Sequence, residues 1–302
     1  MRYAYYPGCS LTESAKEFDV STRKVMECLG ATLEEVPDWT CCGASAVESV
    51  SRLLAFALPA RNLALAQQDG EDVDMLVPCS ACYLNLRRVQ EETAHDRDLA
   101  ADIEEVLDAD GLSYNGTVRV RHLLDVLKAD FGPSQIAEHV VRPLEGLTVA
   151  PYYGCQILRP YRVFDDPETP TSMEPLLKAA GAEIFDWSAG NVCCGASLMA
   201  TEKEVALVSV ARILEAARGA DVIATVCPLC QMNLEAYQSE AIRQTGRGKP
   251  VTVLYLPQLL GLAMGFTPQD MLLDKGMSMQ AVTRNKISHV LNTPRQAAEA
   301  TV

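Results

Sequence analysis

Short apolar and aromatic runs alternate along the chain with longer stretches whose apolar positions recur at helical spacing, and the alternation is played through twice. In the first pass, residues 2–8 read as a strand ending at Cys9, and residues 11–29 as a helix stopped by Gly30. A second strand over 32–36 leads to Cys41 and Cys42. From Ala46 to about Gln68 the pattern is helical, with Pro59 expected to kink or split it. Residues 74–78 form a third strand ending at Cys79, with a helix beginning near Cys82. Residues 118–121 form a fourth strand, and a helix over 123–131 follows.

The second pass repeats the order. Strands are predicted over 147–153, 183–187, 221–226 and 251–256, with helices over 173–180, over 202–218 and after Cys227. Strands that alternate with helices imply parallel sheets with right-handed crossovers. The expected fold is therefore α/β, built as two pseudo-symmetric halves. Each half is a mostly parallel open sheet flanked by helices, with its cysteine motifs at the carboxyl ends of the strands.

The chain has 302 residues, about two ordinary domains in length. The expected division is 1–142, 143–270 and a tail over 271–302. That tail begins beyond the repeat, and from Lys275 onwards it carries Lys275, Arg284, Lys286 and Arg295 against Glu299. It reads as loosely ordered or as docking on an acidic neighbour. A net charge of −14 disfavours nucleic acid and anionic lipid as partners. No apolar run reaches the ~20 residues of a membrane span, and the first residues lack a signal-peptide core. The expected location is cytoplasmic, where eleven cysteines call for metal or thiol chemistry rather than disulfides.

Ten of those cysteines fall into two sets with one grammar. Cys9, Cys41-Cys42-Gly43 and Cys79-x-x-Cys82 form the first, with 31 and 36 residues in the gaps. Cys155, Cys193-Cys194-Gly195 and Cys227-x-x-Cys230 form the second, with gaps of 37 and 32. The flanking residues repeat as well: Tyr5-Tyr6 and Tyr152-Tyr153 precede the first cysteines, Trp39 and Trp187 precede the pairs, and Asn85 and Asn233 follow the CxxC turns. This is an internal duplication. In an open α/β sheet the carboxyl edge is where ligands bind, so each quintet converges on one site. Five thiolates exceed the four that mononuclear zinc or an ordinary cubane uses, and adjacent cysteines suit different irons of one cluster. Zinc in one half is the alternative. Cys28 has no counterpart and reads as an inert buried thiol. His122, at the end of the fourth strand, is the candidate catalytic proton donor.

On these motifs the chain resembles the cysteine-rich CCG domain and, over about residues 1–265, the B subunit of heterodisulfide reductase of the kind without a membrane anchor. The resemblance implies two noncubane [4Fe–4S] clusters, one on Cys9, Cys41, Cys42, Cys79 and Cys82 and one on Cys155, Cys193, Cys194, Cys227 and Cys230. It implies a catalytic subunit that reduces a disulfide, or oxidises thiols in reverse. The sequence has no ferredoxin cysteine run, no GxGxxG fingerprint and no P-loop. Electrons are therefore expected from a partner like the family's C subunit, with cubane [4Fe–4S] clusters, and from a flavoprotein like its A subunit beyond that. Rival readings are an electron-transfer subunit of a lactate or glycolate dehydrogenase complex and a zinc-stabilised scaffold.

Overall fold

The structure, a computed structural model, describes residues 1–44, 47–68 and 73–292. Ser45 of the first CCG motif, the expected helix start at Ala46, and the tail residues Arg295 and Glu299 lie outside the described residues. Eight strands carry the fold: β1 (Arg2–Tyr5), β2 (Thr32–Glu35), β3 (Asp74–Val77), β4 (Arg119–His122), β5 (Thr148–Tyr152), β6 (Glu183–Ile184), β7 (Val222–Thr225) and β8 (Thr252–Tyr255). They form two four-stranded parallel sheets, ordered β2-β1-β3-β4 and β6-β5-β7-β8. The same order in both sheets is the structural counterpart of the sequence duplication. In each sheet the chain reverses direction of travel between the first and third strands, which opens a crevice at their carboxyl ends.

The helices of the first half are α1 (Gly8–Thr12), α2 (Lys16–Cys28), α3 (Arg52–Gln67), α4 (Ser80–Thr93), α5 (Arg97–Asp108), α6 (Leu123–Val126) and α7 (Gly132–Glu138). Those of the second are α8 (Glu174–Ala179), α9 (Lys203–Ala216), α10 (Pro228–Ala236), α11 (Gln238–Thr245), α12 (Leu256–Ala263) and α13 (Ala281–Asn292). Several expectations need correction. The first strand stops at Tyr5, because Pro7 and a left-handed Gly8 (φ +70°) turn the chain into α1, so Cys9 sits in a helical first turn. The helix expected over 11–29 is two helices. Pro59 does not split α3, which runs unbroken past it, packing its buried Ala60, Leu63 and Ala64 into the core. That helix starts at Arg52, where the Ser51 hydroxyl accepts the Leu54 amide. Helices α5, α7, α11, α12 and α13 are additional to those the pattern predicts.

The halves share a core. Phe18 of α2 and Tyr255 at the end of β8 are fully buried and stack in parallel with centroids 4.1 Å apart. Residues from both halves belong to one continuous apolar cluster. Part of the basic tail is ordered against the second half: Lys286 pairs with Asp221 at 2.6 Å, the Thr283 hydroxyl donates to the Asp221 carbonyl, and Ile287 and Val290 are buried. Its acidic neighbour is thus on the same chain. Among the described residues no helix is long and apolar enough to cross a membrane.

Candidate functional site

Each quintet gathers at the crevice of its sheet. Cys79 and Cys227 are the N-cap residues of α4 and α10, and Cys82 and Cys230 lie in the first turns of those helices. The Cys230 thiol and the backbone amides opening α10 pull Cys227 down to about 7. The pairs Cys41-Cys42 and Cys193-Cys194 arrive on the loops after β2 and β6. The sulfurs meet as Cys42–Cys82 at 3.4 Å, Cys9–Cys41 at 3.7 Å and Cys194–Cys230 at 3.5 Å. No disulfide joins them. Among the described residues no three His, Cys, Asp or Glu side chains form a single-ion shell. Cys9, Cys41 and Cys193 are exposed, whereas Cys42, Cys79, Cys82, Cys194, Cys227 and Cys230 are buried. Cys28, expected to be buried, ends α2 half-exposed and apart from both quintets.

Crowding the thiols splits their acidities. Hydrogen bonds from Cys42 and Cys9 pull Cys41 far down, and the one from Cys155 pulls Cys193 down. The amides of Gly43 and Gly195 add to this from 3.5 and 3.4 Å. Cys9, Cys82, Cys155 and Cys230 are pushed up, because each gives its hydrogen to a neighbouring sulfur, and burial and nearby negative charge add to this. Such a set gains most from a core that supplies positive charge, and soft sulfur donors suit iron–sulfide or zinc.

The loops are pinned by devices that occur in both halves. The Tyr6 hydroxyl donates to the Thr40 carbonyl at 2.7 Å, and the Tyr152 hydroxyl to the Val192 carbonyl at 2.6 Å, in each case just before the cysteine pair. Asn85 donates to the Cys42 carbonyl at 2.9 Å, and Asn233 to the Cys194 carbonyl at 2.7 Å. These roles escaped the sequence analysis, although the Asn-Leu step repeated after each CxxC was the signal. The tyrosine repeat is also shifted by one: counting from Cys9 and Cys155, Tyr6 matches Tyr152 while Pro7 matches Tyr153. A Cβ on Gly8 would lie 2.7 Å from Cys82 Sγ, and one on Gly154 3.1 Å from Cys230 Sγ. Glycine at this left-handed position is what leaves room for the sulfur. Trp39 and Trp187 flank the same tyrosines, with centroids 5.5 and 6.1 Å away.

The two CxxC turns touch. The Ser80 hydroxyl, next to Cys79, donates to the carbonyl of Val226, next to Cys227, at 3.1 Å. His122 stands behind this contact, fully buried. Its Nδ1 accepts the Leu124 amide at 3.1 Å as the cap of α6, so the ring proton is on Nε2, 3.4 Å from Ser80 Oγ. Burial lowers the His122 pKa to about 3. With the folded-state pKa depressed, the stability tied to neutral His122 is complete above about pH 6.5 and is lost as pH falls towards 3. The variant His122→Asn keeps a capping oxygen and does not titrate. Unfolding free energies compared between pH 7 and 4 are expected to fall about 3 kcal/mol further for the wild type; equal losses would contradict a buried neutral imidazole.

Comparison with known proteins matches the family described as "Cysteine-rich domain" twice, over residues 3–87 and 149–235. The chain is 36% identical over 273 residues to the 8-methylmenaquinol:fumarate reductase membrane anchor subunit of Wolinella succinogenes, covering 89% of this chain and 94% of that one. It is 30% identical to a protein of Archaeoglobus profundus described as like the heterodisulfide reductase B subunit, covering 89% and 92%. It is 28% identical to the B subunit of the ferredoxin/F420H2-dependent CoB-CoM heterodisulfide reductase of Methanosarcina acetivorans, covering 89% and 91%. The fold resembles a crystal structure of a hypothetical protein from Helicobacter pylori with TM-score 0.75 and 17% identity. That match spans 93% of this chain and 52% of the other.

Proposed function

Because the chain belongs to the family of cysteine-rich CCG-domain proteins, we propose that it is the part of a heterodisulfide reductase-like complex that reduces a disulfide or, in reverse, oxidises thiols. Residues 1–142 and 143–270 are its two cluster-bearing halves, followed by the tail. Cys9, Cys41, Cys42, Cys79 and Cys82 hold one noncubane [4Fe–4S] cluster; Cys155, Cys193, Cys194, Cys227 and Cys230 hold the other. Bound there, such clusters supply single electrons and a Lewis-acidic iron for sulfur. The observation that carries this reading is the abutment of the CxxC turns through Ser80 and Val226, which brings the two quintets to one seam.

The protein's own residues do the holding. Gly8 and Gly154 leave the sulfurs of Cys82 and Cys230 their space, and the tyrosine and asparagine anchors fix the paired cysteines. His122, neutral and engaged at both nitrogens, is a positioning residue for Ser80. Electrons come from a partner with cubane clusters, of the C-subunit type, and a flavoprotein of the A-subunit type, in the cytoplasm. A second reading has one specific support: the identity to the fumarate reductase membrane anchor subunit exceeds that to either heterodisulfide reductase relative above. In that reading the same clusters relay electrons between a quinol and a fumarate reductase partner.

Anaerobic purification, with iron, sulfide and zinc quantified and a dye-coupled assay on mixed disulfides and on a methylated menaquinol, tests both. About eight irons with sulfide per chain and disulfide cleavage are the expected result. Iron with quinol oxidation alone favours the second reading, and one or two zincs without sulfide refute both.

A further inference from the structure

The duplication is broken at the seam. Aligned on the CxxC turns, Ser80 of the first half stands where the second has Pro228, and Val77-Pro78 stand where it has Thr225-Val226. His122 pairs with Val77 on the neighbouring strand as Tyr255 pairs with Thr225, so these two are counterparts as well. Ser80 is 1% exposed and donates its hydroxyl hydrogen to the Val226 carbonyl at 3.1 Å. The peptide it reaches is the one that leads into Cys227. Pro228 has neither a hydroxyl nor an amide hydrogen with which to return such a bond to the peptide before Cys79. The Tyr255 hydroxyl is spent within its own half, on Gln231 Oε1 at 3.3 Å.

The Ser80 bond is held from behind. His122 Nε2, which carries the ring proton, lies 3.4 Å from Ser80 Oγ. With that oxygen accepting from His122, the single hydroxyl hydrogen is committed to the second half. The imidazole cannot turn away: its Nδ1 holds the Leu124 amide, and its ring packs on Phe164, parallel at 6.2 Å, and on Tyr83, edge-on at 5.4 Å. At Cys227 itself the thiolate is favoured first by Cys230, and the Ser80 hydroxyl adds to this from across the seam.

We propose that Ser80, although it sits inside the first CxxC turn, is a positioning residue for the second cluster, and that its bond to the Val226–Cys227 peptide raises the reduction potential there while leaving that of the first cluster nearly unchanged. The inference rests on the two-cluster reading above. A hydrogen-bond donor directed at a ligand's surroundings stabilises the more negative, one-electron-reduced form over the oxidised one. Ser80 thereby gives the site on Cys155, Cys193, Cys194, Cys227 and Cys230 a contribution that Pro228 cannot give in return. Two quintets with one ligand grammar are made unequal by one hydroxyl.

The test is a potentiometric titration of the cluster-loaded protein, followed by the spectra of its reduced clusters. Cys82→Ser, which keeps only the second cluster on this assignment, identifies that cluster's spectrum. Expected in Ser80→Ala are unchanged iron and sulfide and, near the midpoint, a drop of up to about tenfold in the reduced-to-oxidised ratio of the second cluster, which is about 59 mV for a one-electron couple. The first cluster should keep its wild-type midpoint. Ser80→Thr retains the hydroxyl and should restore most of the second midpoint. His122→Asn loses the proton behind Ser80 and should move the same cluster in the same direction by less. Adding it to Ser80→Ala should change little further, because both act through one bond. Should Ser80→Ala fail to assemble, the His122→Asn titration decides by the same criterion. Midpoints at wild-type values in Ser80→Ala overturn the proposal, and so does a first cluster that moves as far as the second, since a distorted turn would do that. Wild-type protein with about four irons, or with zinc, sinks the two-cluster reading and this inference with it. About eight irons with two unmoved midpoints sinks the role of Ser80 alone.

Discussion

On the proposed two-cluster assignment, Gly8→Ala is expected to leave the purified protein with about four irons per chain instead of about eight, as is Cys82→Ser. The serine variant removes a proposed ligand outright. The alanine variant does so indirectly: its Cβ would sit 2.7 Å from Cys82 Sγ, in a backbone conformation (φ +70°) that side chains rarely adopt. Either the sulfur or α1 must move, and α1 carries Cys9. Gly154→Ala, with its contact at 3.1 Å, should be milder for the second site. Iron and sulfide quantitation alongside spectra of the reduced protein reads the result. Eight irons retained in Cys82→Ser would show that Cys82 does not hold metal.

Phe18→Ala is expected to cost about 3–5 kcal/mol in denaturant unfolding of the metal-free protein. The ring is fully buried and stacked at 2° to Tyr255, so its loss opens a cavity between the halves. Phe18→Leu, which keeps most of the volume, should lose less. Because residues of both halves belong to one apolar cluster, the loss should appear in a single transition. Two transitions, with only one displaced by the substitution, would mean that the halves fold independently.

Much of the site was legible in advance because cysteine spacing and strand pattern are local signals that the duplication states twice. All eight strands lie where the apolar runs put them, and every cysteine of the two sets follows one. Local pattern failed where tertiary packing overrode it. Pro59 stays inside α3 because the flanking Ala60 and Leu63 are held in the core. Glu17 sits among the polar positions of α2 and gave no sign of being buried, since what covers it comes from α10 and residues 275–277. The tail's basic residues suggested either loose order or docking on an acidic neighbour, and Asp221 supplies that neighbour from 65 positions upstream of Lys286.

By itself the sequence determined that ten thiols arrive in two like sets at the ends of parallel strands, since spacing, glycine placement and periodicity are written along the chain. Only the tertiary structure decided that Ser80 meets Val226, that Phe18 lies on Tyr255, and that His122 is sealed away as a helix cap. Those contacts join residues far apart in the chain, and the burial and desolvation that settle their chemistry arise only when the halves close on each other.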